Sequence, residues 1–589
     1  MKSDITKKIS EFFFKIKRRT LFGINNFNLN SKSNFKKFVL SHWTWPKKVF
    51  LSILLILIII ACLLYTPWAY DYSSYEYYGG QYHFVFDKPV VGVDPTITKV
   101  HFLDAFFMST SAFTNTGLSV IDIGSKYSLF GQIIIWVAVQ LGGFGFISIF
   151  YLIGKFTSKV IRTKVFTSSM LHIERGGSKI SDSSRMIVRL FFLILIIQFI
   201  FAFAISGILY TTEFKEQVIP PSSPGGISTL LPYDSTTSFP TYQNYGLSFW
   251  NALFLSSSSI NNAGLDLFGV SSLSIFRNDF GILIQSFVLI LFIIGGIGFP
   301  VIYDISKRFE WFWKNKIHNL LFKKYSKVIY NEPKPKFSSF SRTCIMMFLV
   351  VSLVSIGLSY ITEYFTSNAS NSSILHYGND NNEFGINIAL NKNWAIFFNT
   401  MSTRSAGFST VNMSNFSEST RWIFIILMYI GTSPSSTGGG IRTTTLYVAF
   451  KSILYWFRGI ETPLIQKRAI PKKTVLNSFI VIIFAFVLIM VLAIVLFLID
   501  SIQANSIAPI VATEWTFIDF LFECSSAFGT TGLSTGLTMS DEFEWWSYIF
   551  LIVLMFIGQM GITSFLATFS KRIPNRIYFK AIEQDIRIG

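Results

Sequence analysis

The sequence predicts an all-α integral membrane fold: four pseudo-symmetric membrane–pore–membrane repeats, eight spans plus four re-entrant pore helices, around one central pore. Three observations predict it. Long apolar runs are nearly free of charge, the connections between them alternate between basic and non-basic, and one sixteen-residue segment recurs four times without a gap.

The chain has 589 residues, 51% of them apolar and only 14% charged. A soluble protein carries about a quarter charged residues. Runs such as 50–64, 190–205 and 479–499 are nearly charge-free, and with their flanks they reach the roughly 17–25 residues that a membrane-crossing helix needs. Eight such segments lie near 49–67, 128–153, 186–211, 279–303, 343–365, 421–456, 475–500 and 545–569, the sixth long and interrupted. The first has a basic prelude but no small-residue cleavage site, so it reads as a retained span rather than a signal peptide. An even count places both termini on one side.

The net charge of +18 raises nucleic acid as a partner, but the charges fall in the wrong places for it. Lys and Arg crowd the region before the first span, the connection holding Lys155, Lys159, Arg162 and Lys164, the stretches around 307–336 and 467–473, and the C-terminal tail. The connections 68–100, 212–248, 366–392 and 501–514 are nearly free of them. That alternation is the positive-inside pattern, which puts both termini in the cytoplasm and makes membrane lipid, not nucleic acid, the surrounding partner. Cys62, Cys344 and Cys524 are too scattered for a disulfide framework or metal cluster, and the six His are equally dispersed, so no metal site is expected beyond a permeant ion.

The repeated segments are 104–119 (DAFFMSTSAFTNTGLS), 251–266 (NALFLSSSSINNAGLD), 394–409 (WAIFFNTMSTRSAGFS) and 519–534 (DFLFECSSAFGTTGLS). Each has Phe at its fourth position and Gly at its fourteenth: Gly117, Gly264, Gly407 and Gly532. Each lies between two apolar spans, and each is too short and polar to cross a bilayer. The apolar-aromatic first half suits a short helix; the Ser/Thr/Asn/Gly second half is expected to be non-helical. Such backbone survives at membrane depth only when buried in protein or lining a watery cavity. Glycine tolerates positive φ, which lets successive carbonyl oxygens turn toward an axis, and a ring of such oxygens can replace a cation's hydration shell. The short helices would aim their negative carboxyl ends at the cavity. One such loop is ordinarily a packing device; four in-register copies are not explained that way.

These motifs resemble the Trk/Ktr/HKT superfamily of potassium transporters, in its eight-span, KtrB-like membrane-subunit branch. The resemblance covers roughly residues 45–575 and rests on AFTNTGLS (112–119), INNAGLDLFG (260–269), TRSAGFST (403–410) and SAFGTTGLSTG (526–536). QLGGFGF (140–146), IGGIGFP (294–300) and SPSSTGGGIRTTT (433–445) support it. It implies potassium uptake through a carbonyl-lined selectivity filter, a homodimer with one pore per subunit, and a cytoplasmic ring of RCK-type nucleotide-binding regulatory subunits. No cofactor is implied on this chain; the permeant ion is K+, with Na+ as the alternative on the same fold. Some plant relatives with a serine at the first filter glycine carry sodium; all four positions here are Gly. The implied filter is Thr114, Asn115, Thr116 and Gly117; Asn261, Asn262, Ala263 and Gly264; Arg404, Ser405, Ala406 and Gly407; and Gly529, Thr530, Thr531 and Gly532. Arg404 is expected to turn its side chain away and hold the loop from behind.

The sixth span contains Gly431, Thr432, Ser433, Pro434, Ser435, Ser436, Thr437, Gly438, Gly439 and Gly440, a run that no helix carries comfortably. The resemblance makes it an intramembrane gating loop under the filter. Relatives carry an Arg in the last span, in a Gly-Arg-x-Gly setting, where this chain has Gln559. Losing that charge is expected to give a leakier or differently regulated pore. Asp104 and Asp519 share a repeat position best read as helix capping, while Glu523 reads equally as support or as a source of cavity field. A membrane-embedded enzyme would need acids or histidines clustered at one face, and the sequence has none. The expected divisions are a basic region 1–45, repeats 46–157, 185–306, 341–460 (broken last span) and 474–570, linkers 158–184, 307–340 and 461–473, and a tail 571–589.

Overall fold

A computed structural model describes residues 45–70, 75–78, 81–84, 101–145, 180–212, 241–269, 272–276, 279–318, 333–369, 375, 388–460, 462–465, 468–507, 515–540, 543 and 545–569. Of the expected divisions, residues 1–44, most of the linker 158–184, most of the loop 212–248, the middle of the linker 307–340 and the tail 571–589 lie outside the described residues. The chain divides into two compact units, residues 1–54 with 564–589, and residues 55–563. In the first unit the described residues are the opening turns of one helix and the last residues of another; the second unit carries everything that follows.

The helices in chain order are α1 Trp45–Leu64, α2 Phe102–Thr114, α3 Leu129–Phe144, α4 Ile180–Thr211, α5 Tyr245–Ile260, α6 Asp279–Ile297, α7 Phe299–Phe312, α8 Ser339–Ala369, α9 Ile388–Ser402, α10 Glu418–Tyr429, α11 Thr443–Phe457, α12 Lys472–Ile507, α13 Phe517–Gly529, α14 Trp545–Met560 and α15 Ile562–Phe569. Two short antiparallel hairpins interrupt the all-helical expectation: β1 Tyr75–Tyr78 with β2 Gln81–Phe84, and β3 Leu464–Ile465 with β4 Arg468–Ala469. Among the described residues four helical stretches are long and apolar enough to cross a membrane: Val188–Thr211, Phe280–Ile297, Ser339–Thr366 and Lys472–Asp500. Phe50–Leu64, Leu129–Phe144 and Trp545–Met560 are apolar but shorter.

The sequence marks only the sixth span as interrupted, and the structure corrects this. In 128–153 helix α3 ends at Phe144, and 146–153 lie outside the described residues; 279–303 is cut between α6 and α7, and 545–569 between α14 and α15. In the sixth span Gly440 (74°) lies within the loop, but each of the other helix ends is followed by a glycine with positive φ: Gly145 (76°), Gly298 (105°) and Gly561 (79°). A side chain at such φ is strained, so these glycines end their helices.

A second correction concerns the repeated segments. Their helices α2, α5, α9 and α13 run well into the Ser/Thr-rich half, to Thr114, Ile260, Ser402 and Gly529. Hydroxyls along these helices bond back to the preceding turn, in the first half of the segments as well as in the half expected to be non-helical. Thr110 Oγ1 donates to Phe106 O (2.8 Å), Thr114 Oγ1 to Thr110 O (2.7 Å), Ser259 Oγ to Leu255 O (2.6 Å) and Thr400 Oγ1 to Ile396 O (2.7 Å). Satisfied in this way, a polar side chain can be buried inside a helix without an orphaned group. The acids at the start of α2 and α13 cap: Asp104 Oδ2 accepts from the His101 amide (2.8 Å) and Asp519 Oδ2 from the Thr516 amide (3.0 Å).

Each short helix is bolted to the long helix of the preceding copy. Trp250 Nε1 at the start of α5 donates to Gln132 Oε1 on α3 (2.7 Å), and Trp394 Nε1 on α9 donates to Gln285 Oε1 on α6 (2.6 Å). Arg421 Nη1 on α10 donates to Asp519 Oδ1 on α13 (2.6 Å). The Tyr548 ring on α14 meets Phe107 on α2 at 5.4 Å. The fourth contact joins the last copy to the first, so the bolts close a cycle. Between the second and third copies the space is filled by Ile205 and Leu209 of α4, Leu255 of α5, Val288 and Phe292 of α6, Phe348 of α8 and Phe398 of α9, all buried.

Candidate functional site

After each short helix the chain makes the same turn. The residue two before each repeated glycine lies in the left-handed region: Asn115 (φ 53°), Asn262 (55°), Ser405 (62°) and Thr530 (46°). The glycines follow at φ 95°, 65°, 79° and 89°. Asn enters this region readily, but a β-branched Thr is an outlier there, held only where the surroundings over-determine it. The sequence shows positions that need glycine; it hides these four. Their signal is weak but present, since all four carry short polar side chains. Serines at the eighth position brace the turn from behind. Gly117 N donates to Ser111 Oγ (3.1 Å), Gly532 N to Ser526 Oγ (3.0 Å), and Leu265 N to Ser258 Oγ (3.0 Å). In the third copy, where that position is Met401, the neighbouring Ser402 Oγ donates to Phe408 O (2.6 Å).

The four glycines meet. A Cβ placed on Gly117 would lie 2.5 Å from the Ala263 carbonyl oxygen, one on Gly264 2.7 Å from the Gly407 Cα, one on Gly407 2.3 Å from the Thr531 carbonyl oxygen, and one on Gly532 2.2 Å from the Thr116 carbonyl oxygen. Copy 1 touches copy 2, 2 touches 3, 3 touches 4, and 4 touches 1. The contacts involve the glycine of one copy and, at the next, its glycine or the carbonyl just before it. Thr116, Ala263, Ala406 and Thr531, which supply those carbonyls, are all buried. Two requirements thus fall on one residue: positive φ, and no Cβ.

The other filter candidates support this ring rather than join it. Thr114 and Thr116 share a hydroxyl hydrogen bond (2.7 Å), and Asn115 Nδ2 donates to Asn261 O (3.0 Å). The Asn261 amide is held by Gln140 Oε1 (3.2 Å) and Ser257 O (2.9 Å). Ser405 Oγ donates to Gly529 O, crossing from the third copy to the fourth. Arg404 points elsewhere: its Nη1 donates to Ile430 O (2.9 Å). Glu523 is fully buried and holds the chain that returns from the fourth copy, accepting from Ser534 Oγ, Thr535 N (3.0 Å) and Thr538 Oγ1 (2.6 Å).

The loop 431–440 lies against the same residues. Thr437 Oγ1 donates to Asn262 Oδ1 (3.0 Å), Gly439 N donates to Thr530 Oγ1 (2.6 Å), and a Cβ on Gly438 would lie 2.7 Å from the Ser405 Cβ. Three of the four left-handed residues are therefore loop contacts. Across the loop Thr432 and Ser436 share a hydroxyl bond (2.6 Å), while Gly431 packs on the Gly439 carbonyl. Phe299 N, just past the Gly298 break, donates to Ser435 O (2.9 Å), Ser433 N donates to Gly296 O (3.3 Å), and a Cβ on Gly298 would lie 3.0 Å from Pro434 O. Arg442 donates to Gly438 O. Gln559 Nε2 donates to Thr437 O (3.3 Å), and its Oε1 has no partner among the described residues. Loop residues 434–436 are partly exposed, whereas 431–433 and 437–440 are buried.

A bundle of apolar helices with buried non-helical segments meeting at a ring of glycines defines a helical membrane protein of the ion-transport class. Residues 47–581 match the TrkH family, described as cation transport protein, and the chain belongs to that family. It is 34% identical to an uncharacterized cation transporter of Mycoplasma pneumoniae, over 83% of this chain and 86% of that protein. It is 28% identical to Ktr system potassium uptake protein D of Bacillus subtilis, over 79% of this chain and 85% of that protein. The potassium transporter TrkH of Vibrio parahaemolyticus matches in structure with a TM-score of 0.46 and 15% identity, over 80% of this chain and 79% of that one.

Proposed function

We propose that this protein takes up potassium ions across the cell membrane through one pore per subunit, with the glycine ring as its selectivity filter. The observation that carries the reading is the closed cycle of Gly117, Gly264, Gly407 and Gly532, each packed on the glycine or the preceding carbonyl of the next copy. Backbone oxygens gathered at such a ring can take the place of a cation's hydration water. Charge does not have to be supplied by carboxylates, and residues 114–117, 261–264, 404–407 and 529–532 include none. An interior-negative potential supplies about 2.3 kcal/mol per 100 mV for each charge moved, so uptake needs no covalent chemistry.

The finer parts of the reading follow from this one. The four span–segment–span units surround the pore as quasi-equivalent repeats, with both termini cytoplasmic. The 431–440 loop is the gate, because it bears on Asn262, Ser405 and Thr530 directly beside the ring. The protein works as a homodimer with a cytoplasmic nucleotide-binding ring docked on its basic connections. The test is uptake in cells lacking their own potassium uptake systems, at low external potassium, together with rubidium and sodium fluxes in liposomes holding the purified protein. Growth rescue with rubidium flux exceeding sodium flux supports the reading. Sodium flux equal to or above rubidium flux would replace it with a sodium carrier on the same fold.

A further inference from the structure

Taking the 431–440 loop as the gate, we propose that Arg404 is a positioning residue that ties the first hinge of that loop to the third filter segment. In copies 1, 2 and 4 the following helix is fixed to its own segment by a glycine on a carbonyl at the tenth position. A Cβ on Gly142 would lie 1.9 Å from Phe113 O, one on Gly295 2.1 Å from Ile260 O, and one on Gly558 2.0 Å from Phe528 O. Copy 3 has Thr403 at that position, and α10 ends at Tyr429, where the loop takes over. The tie is made instead by the next residue's side chain. Arg404 Nη1 donates to the carbonyl of Ile430, the residue immediately before the loop. That carbonyl sits at a helix carboxyl end, where the dipole favours a cation.

The guanidinium is 1% exposed, with its carbon 5.9 Å from the Phe348 ring, and neither Nε nor Nη2 has a partner among the described residues. Arginine stays protonated in such a setting, and a buried charge with so few partners is costly beside an apolar residue of similar volume. Fold stability therefore does not account for it; its hydrogen bond to Ile430 O does. The neighbouring Ser405 packs on Gly438 in the other limb of the loop. Consecutive residues of one filter segment thus hold both limbs, and displacing either limb must disturb the other through them.

The test compares Arg404→Met, a shortened loop lacking residues 433–438, and the two combined, by rubidium flux into liposomes without any activating subunit. Arg404→Met is expected to raise this resting flux by about tenfold, the scale of one lost charge-assisted hydrogen bond, with the rubidium-to-sodium ratio unchanged. The shortened loop should leak at least as much, and the combination no more than the shortened loop alone, since both act on one element. Arg404→Lys keeps the charge but offers only a flexible point donor; it should leak at an intermediate level, and it decides alone if Arg404→Met does not fold. Wild-type leak in Arg404→Lys and Arg404→Met, multiplying effects in the combination, or a collapsed ion ratio with normal leak would each overturn the proposal. If the shortened loop itself does not leak, the gate reading fails, and that result is distinct from the others.

Discussion

Two regions beside the same repeated segments differ in how far they rely on side chains. At the glycine ring, and where Gly142, Gly295 and Gly558 press on short-helix carbonyls, backbone lies directly on backbone. The 431–440 loop combines backbone bonds at Ser433 and Ser435 with side-chain ones: Thr437 to Asn262, Gly439 to Thr530 and Gln559 to Thr437. Close-packed backbone has one arrangement, because there is no rotatable group to give way. Side-chain hydrogen bonds contribute about 1 kcal/mol each and can be exchanged for water or for one another. The ring therefore rests on backbone packing, whereas the loop rests in part on exchangeable side-chain bonds, and the two share Asn262, Ser405 and Thr530.

The comparison breaks most severely at the ring. Gly407→Ser puts a Cβ 2.3 Å from the Thr531 oxygen at a φ of 79°, and strain of about 1–3 kcal/mol or more follows. The expected result is loss of rubidium-over-sodium selectivity by about tenfold, read as a shift in reversal potential. Gly295→Ala should follow, destabilising the protein by about 1–3 kcal/mol through overpacking on Ile260, read as a lower melting temperature in detergent. Gly438→Ala meets side chains rather than backbone, the Cβ and Oγ of Ser405 at 2.7 and 2.8 Å and Thr432 Oγ1 at 2.9 Å. It should lower melting less than Gly295→Ala does and raise resting leak more, which separates the two kinds of contact.

Smaller effects sharpen the picture at the margins. Gln559→Arg keeps a donor for the Thr437 carbonyl and adds a positive charge beside the loop; resting leak should fall several-fold, and an indistinguishable leak would count against a gating role for this position. The smallest effect is expected away from the loop. Glu310 on α7 has its carboxyl held below the ordinary value by hydrogen bonds from Lys314 and then Arg189, with burial opposing. A depressed carboxylate contributes stability above its unfolded value, and that contribution is lost as pH falls through the folded one. Being about two-fifths exposed, the cluster is screened and contributes well under about 1 kcal/mol. Glu310→Gln should change melting slightly at neutral pH and not at all in acid below the depressed value.

The sequence makes the apolar segments and the four glycine-bearing copies legible because each is a strong, repeated constraint. Charge is scarce in the long apolar runs, and Cβ cannot enter the ring. It makes the helix ends less legible. Ser and Thr discourage helix in isolation, yet at Thr110, Thr114 and Ser259 they bond the preceding turn and extend it. The cuts at Gly145, Gly298 and Gly561 are hidden because a lone glycine in an apolar run reads as helix as readily as break. The strained residues Asn115, Asn262, Ser405 and Thr530 are hidden because polarity at one position does not reveal φ. The inter-copy bolts, such as Trp250 on Gln132, join residues at least 98 positions apart and need the fold to be seen.

The most direct measurement is a structure determined with thallium or rubidium, using anomalous scattering to locate the ion. The account predicts an anomalous peak at the ring, within coordinating distance of the carbonyls of Thr116, Ala263, Ala406 and Thr531. No peak there, or a ring plugged by side chains in protein that still transports the ion, would contradict it.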